Sequence, residues 1–115
     1  MERVKEFIAC HYKTCKNGIE RLTELKTDIE NGKEDAKLME ITNQLLERSA
    51  HEIKILETFL DVCYEKEAEL NQCIKEKGMV HVTFENYVKE KIGVADTSCL
   101  GEVMWRLREL FYELE

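Results

Sequence analysis

Apolar residues recur along this chain at steps of three and four, and the short alternating runs that mark strands are missing. From about Arg3 to Glu30 the repeat passes through Val4, Ile8, Tyr12, Cys15, Ile19, Leu22, Leu25 and Ile29, which predicts one amphipathic helix closed by Asn31-Gly32. Gly18 falls inside it, at a cost of roughly 1 kcal/mol relative to alanine, and reads as a tolerated glycine, or else as a mark of close packing or a slight weak point. A longer repeat, from about Lys33 to Lys77, keeps a heptad register. Its a positions are Met39, Leu46, Ile53, Leu60, Glu67 and Ile74, and its d positions are Thr42, Ser49, Leu56, Cys63 and Leu70. Leu45, Phe59 and Cys73 at g widen the stripe toward a second neighbour, as in a bundle, and the charged Glu67 at an a position marks a break or an exposed turn.

Length then sets the expected topology. At about 1.5 Å per residue the two helices measure roughly 40 and 65 Å, so a hairpin turning at Asn31-Gly32 leaves about 15 residues of the second helix unpartnered. Thr42 and Ser49 face the first helix in this arrangement, and the segment from Val62 to Ile74 needs a cover. Leu100, Val103, Met104, Leu107, Leu110, Phe111 and Leu114 form an unbroken helical stripe that can supply it, and a second copy of the chain is the other candidate. Between these segments, Met79-Val80-His81-Val82 is short enough to be a small strand. Thr83 is placed to cap a short helix carrying Phe84, Tyr87, Val88 and Ile92, which Gly93 ends, and Asp96-Thr97-Ser98 offers caps for the last helix. The expected fold class is all-α: a long antiparallel helical hairpin with a short third helix and an amphipathic C-terminal helix, forming one helical domain over residues 1–115.

Composition narrows the function classes. Charged residues make up 36% of the 115 and proline is absent, a mix suited to long amphipathic helices and not to disorder. The net charge of −7 is uneven. Residues 1–31 carry six charges of each sign, residues 32–79 carry seven basic and eleven acidic groups, and residues 80–115 carry four and seven. No segment has the basic surplus that direct nucleic-acid binding uses to displace counterions. No apolar run approaches the roughly 20 residues of a membrane span, and the N-terminus lacks a signal-peptide core. Five cysteines, an odd number at irregular spacing, fit a reducing compartment, so we expect a cytoplasmic protein, in a cell or an infected host.

The chemical readings fail one by one. Cys10, His11 and Cys15 cluster, but Cys10 and Cys15 are about 140° apart around a helix, so only His11 and Cys15 share a face, which is half a zinc site. The residues three before His11, His51 and His81 are Ile8, Arg48 and Gly78, so no Glu-x-x-His pair exists for a di-iron bundle. His11 with Cys15 is the only local nucleophile-base pair, and it lacks an orienting group or a glycine-rich oxyanion loop. A helix-turn-helix over Thr83–Phe111 has only Arg106 and Arg108 as basic residues in its last helix, opposed by Glu102, Glu109 and Glu113. We therefore expect no enzyme, no cofactor and no metal.

Surfaces remain. Trp105 and Tyr112 stand seven residues apart beside the terminal stripe, with Arg108 between them and Phe111 adjoining, and such aromatics either close a bundle or anchor a partner. The expected function is a non-enzymatic protein-protein interaction module, an adaptor or small assembly subunit, binding a protein partner through Trp105, Arg108, Phe111 and Tyr112, with a homodimer as a second expectation. The alternative is a small acidic inhibitor of the phage-encoded kind. It would present Glu47, Glu52, Glu57, Asp61, Glu65, Glu67 and Glu69 to the basic surface of a nucleic-acid-processing or defence enzyme.

Overall fold

The computed structural model describes residues 1–93 and 100–115, so the Asp96-Thr97-Ser98 cap lies outside the described residues. Among the described residues five α-helices follow in order: α1 Glu2–Glu30, α2 Met39–Glu65, α3 Glu67–Lys75, α4 Val80–Ile92 and α5 Gly101–Leu114. A 3-10 turn, Ala36–Leu38, precedes α2, with the Asp35 side chain accepting from the Lys37 backbone N–H at 2.9 Å. The all-α hairpin bundle is what the spacing predicts, and no strand occurs among the described residues. Among the described residues no helix is long and apolar enough to cross a membrane.

The long second helix is the main correction. It starts six residues later than Lys33, because the chain first makes the 3-10 turn, and it breaks at Lys66, where φ is −110° and ψ is 19°. The break coincides with Glu67, the charged a-position residue. Instead of facing an apolar seam, the Glu67 carboxylate receives the Lys5 ammonium at 2.8 Å, and α3 begins as a separate helix. As a result α1 and α2, of 29 and 27 residues, are nearly equal in length and pair along their whole extent. The 15-residue overhang does not exist.

The seam follows the heptad reading: Thr42 is buried against α1, and the Cys15 thiol donates to the Ser49 carbonyl at 3.4 Å. Helix α3 ends in a Schellman turn, with the Gly78 N–H on the Cys73 carbonyl at 2.9 Å and Lys77 in the left-handed region at φ 53°. The run Met79–Val82 is not a strand: Val80 already begins α4. Thr83 is interior to that helix and does not cap it. The Val80 N–H instead reaches two acceptors, the Gly78 carbonyl at 2.9 Å and, from the far end of the chain, the Glu115 carboxylate at 2.8 Å. Gly93, at φ 67°, ends α4 as its position implies.

Helices α4 and α5 lie across the half of the hairpin that holds the start of α1 and the end of α2, hereafter the capped half. The core is there. Val4 and Ile8 of α1, Ile55, Phe59 and Val62 of α2, Leu70 of α3, Phe84 of α4 and Leu107 and Phe111 of α5 are all buried in one cluster. Phe84 sits between Phe59 and Phe111, with ring centroids 5.5 and 5.1 Å away. Toward the hairpin turn the burial fades: within residues 18–50 only Ile29 and Thr42 are buried, and the molecule is 59 Å long against 25 and 21 Å across.

Two backbone features set expected outcomes. A Cβ at Gly18 would meet nothing within 4 Å, so Gly18→Ala should stabilise the fold by about 0.5–1 kcal/mol through helix propensity and chain entropy. Lys77→Gly should gain a similar amount, about 1 kcal/mol, by relieving the left-handed residue. Urea unfolding with an unchanged m-value checks both, and a loss of stability in either variant would contradict the local geometry.

Candidate functional site

Helix α5 presents two opposite faces. Val103, Leu107, Leu110 and Phe111 point into the core, and Trp105, Arg108, Glu109 and Tyr112 lie on the solvent side. Trp105 is 66% exposed and Tyr112 57%, on a helix where seven residues advance about 10.5 Å and return to nearly the same azimuth. Phe111, expected at the partner surface, is fully buried against Phe84 and is unavailable to a partner in this fold. The reason is its place in the i, i+3, i+4, i+7 stripe with Val103, Leu107 and Leu110, a spacing that Trp105 and Tyr112 do not share.

Rungs to α4 hold the exposed face in place. Arg108 Nε donates to Glu85 Oε1 at 2.9 Å, and the Tyr112 ring lies over His81 with centroids 5.0 Å apart. His81 is itself buried, and among the described residues its Nδ1 has no hydrogen-bond partner, so the ring is held by packing. Tyr112 therefore covers part of the bundle as well as facing solvent, whereas Trp105 covers nothing comparable. Beside Arg108, a cleft of about 200 Å3 opens between α4 and α5, floored by Phe59, Val88, Ile92 and Met104, with Glu85 and Lys89 at its rim. On the other flank of α5, Glu113 receives Arg3 of α1 at 2.9 Å and Arg106 at 3.7 Å, tying the helix to α1.

The acidic face of α2 and α3 is less bare than the sequence implies. Glu52 pairs with Arg48 at 3.1 Å, Glu65 with Lys91 at 2.7 Å and Glu67 with Lys5 at 2.8 Å, and Glu57 accepts from the Tyr12 hydroxyl at 3.2 Å. Four of the seven carboxylates thus have partners inside the chain. Lys5 is the most enclosed of the basic partners, and the hydrogen bond it donates to the Glu67 carboxylate holds its pKa above the ordinary lysine range. The same residue lies 4.6 Å from the Tyr64 ring centre, a cation-π contact that hides its stem.

His11 and Cys15 do share a face of α1, but His11 packs edge-on against Phe7 at 4.6 Å and Cys15 turns to the Ser49 carbonyl. Among the described residues no three His, Cys, Asp or Glu side chains gather as metal ligands would. Cys63 is buried in the core, where desolvation pushes its thiol up to about 12.

The architecture thus defines a class, an all-α hairpin bundle that carries an aromatic outer face on its last helix. No protein-family model, curated protein or solved structure matches this chain.

The thiols offer a direct check on this geometry. Cys10 is exposed and Cys63 is buried with a raised pKa, so at pH 8 a maleimide should label Cys10 within minutes and leave Cys63 unmodified until denaturant is added. Peptide mass mapping reads the order, and early modification of Cys63 would mean that the core is not closed as described.

Proposed function

We propose that this chain is a non-enzymatic protein-protein interaction module, an adaptor or small assembly subunit, whose binding face is the outer side of α5 with the adjoining edge of α4. The observation that carries the proposal is Trp105, the largest side chain of the protein, held 66% exposed on a helix whose opposite side is anchored in the core. An exposed indole on a rigid helix loses little side-chain entropy on binding and offers a large apolar surface, the properties of an interface hot spot. Tyr112 extends this surface. Arg108, fixed by Glu85, supplies a directional polar contact, and the neighbouring cleft is sized for an apolar side chain of a protein partner. The proposed contact set is therefore Trp105, Arg108 and Tyr112, with Phe111 acting beneath them as support.

The alternative, an acidic inhibitor, rests on the negative charge of α2 and α3. The intramolecular pairs of Glu52, Glu65 and Glu67 reduce the charge available to a basic surface, and we rank that alternative second.

The two differ in salt response, because exposed charge-charge attraction is screened over roughly 8 Å at physiological ionic strength and an aromatic contact is not. Partners captured from native lysate should survive a high-salt wash with the wild type and be lost with Trp105→Ala. For a purified partner we expect a loss of affinity of about 30-fold or more, the scale of a hot-spot residue of about 2 kcal/mol. Trp105→Ala should leave stability within about 0.5 kcal/mol, whereas Phe111→Ala should cost about 3–5 kcal/mol. A captured nucleic-acid enzyme that washes off with salt and ignores Trp105 would instead support the inhibitor.

A further inference from the structure

The uncapped half of the hairpin carries a second surface, unrelated to Trp105. On α2, heptad positions c and g form a stripe that runs the length of the helix, and its two ends have different fates. Toward the C-terminus Ile55, Phe59 and Val62 of this stripe are buried beneath α4 and α5. Toward the N-terminus Leu38, Ile41 and Leu45 continue it and stay 39%, 54% and 42% exposed. The Arg48–Glu52 ion pair stands at the boundary. A two-helix hairpin has no third element with which to bury such a face, and Leu38 of the 3-10 turn with Ile41 and Leu45 of α2 makes one continuous stripe where scattered single exposure is usual for a monomer.

We propose that a second copy of this chain covers the stripe, with the two α2 helices packed antiparallel about a two-fold axis near Ile41. The charges around the stripe favour this occupant and this orientation. Glu34 and Asp35 stand at its N-terminal end and Arg48 at its C-terminal end, with the Arg48 side chain 63% exposed and paired with Glu52 through Nε. Antiparallel pairing sets Leu38 against the partner's Leu45, and Arg48 against the partner's acidic end, at both ends of the contact. Parallel pairing would place like charges together. The long-range field also permits self-contact here and disfavours it elsewhere. Residues 16–48 hold six basic and eight acidic groups, close to neutral, whereas the rest of the chain holds eleven and sixteen. Two copies joined at the turn ends keep their acidic capped halves apart, and the Trp105 faces point outward from the two ends of the dimer.

Three aliphatic side chains and their rim make a small interface beside the roughly 800 Å2 per partner of a stable complex, so a weak, concentration-dependent dimer is expected. Sedimentation equilibrium of the full chain from 5 to 500 µM tests this. The wild type should pass from one chain to two across that range. Ile41→Glu, on the surface and outside the core, should keep its helical circular dichroism and remain one chain at 500 µM. Arg48→Glu should weaken the dimer at least tenfold, and adding Glu34→Arg to it should restore part of the loss. Trp105→Ala should dimerise as the wild type does. A single-chain mass for the wild type at 500 µM would overturn the proposal. So would a dimer that survives Ile41→Glu, or one that is lost with Trp105→Ala.

Discussion

Three rings decide the shape of this protein. Phe59 of α2 meets Phe84 of α4 edge to face at 5.5 Å, Phe84 meets Phe111 of α5 in a tilted contact at 5.1 Å, and each is buried to within a percent of completely. Helices α3, α4 and α5 have 9, 13 and 14 residues, lengths at which an isolated helix in water is marginal. They persist because docking on these rings removes a large apolar area from water, on the order of 3–5 kcal/mol per phenylalanine by truncation. The ion pairs around the junction, Lys5–Glu67, Lys91–Glu65 and Arg3–Glu113, each have a solvent-exposed partner. Exposed pairs contribute about 0–1 kcal/mol, so they orient the short helices more than they hold them.

Anchoring everything at one end makes the molecule polar in its chemistry. The capped half is aromatic, acidic and fully packed, and it presents a rigid outer helix. The uncapped half is aliphatic, nearly neutral and thinly packed, with Leu38, Ile41 and Leu45 in solvent. Local opening follows local burial, so backbone amides of residues 18–50 should exchange with solvent well before those of α4 and α5. A partner-binding face belongs on the rigid end, where a side chain such as Trp105 is fixed in position before contact. A small self-complementary stripe is tolerable on the other end because a weak dimer needs little preorganisation.

The residues that carry these surfaces differ in how they announce themselves. Trp105 and Tyr112 break the i, i+3, i+4, i+7 repeat of α5, and that deviation is legible in the chain. Phe111 obeys the repeat and is core for that reason, so its inclusion with the exposed aromatics conflated ring chemistry with helical phase. Leu38, Ile41 and Leu45 lie to one side of the a and d seam, and periodicity alone assigns such residues to a neighbour without saying whether the neighbour is present. The cleft beside Arg108 joins Phe59, Val88 and Met104 from three helices, and no local pattern connects them.

From the order of residues alone follow the all-α class, the hairpin at Asn31-Gly32, the α1–α2 seam through Thr42 and Ser49, and the inward stripe of α5, because each depends on helical phase within about two turns of chain. Tertiary structure decided the rest. The charge of Glu67 at an a position marks the break, but its ion partner, Lys5, lies 62 residues away, and the Glu115 carboxylate that meets the Val80 N–H at the start of α4 lies 35 residues away. The bare and covered ends of one stripe on α2 differ only in where α4 and α5 come to rest. Those outcomes turn on side chains distant in sequence and adjacent in space, and the strength of such contacts is set by burial and geometry that no local repeat encodes.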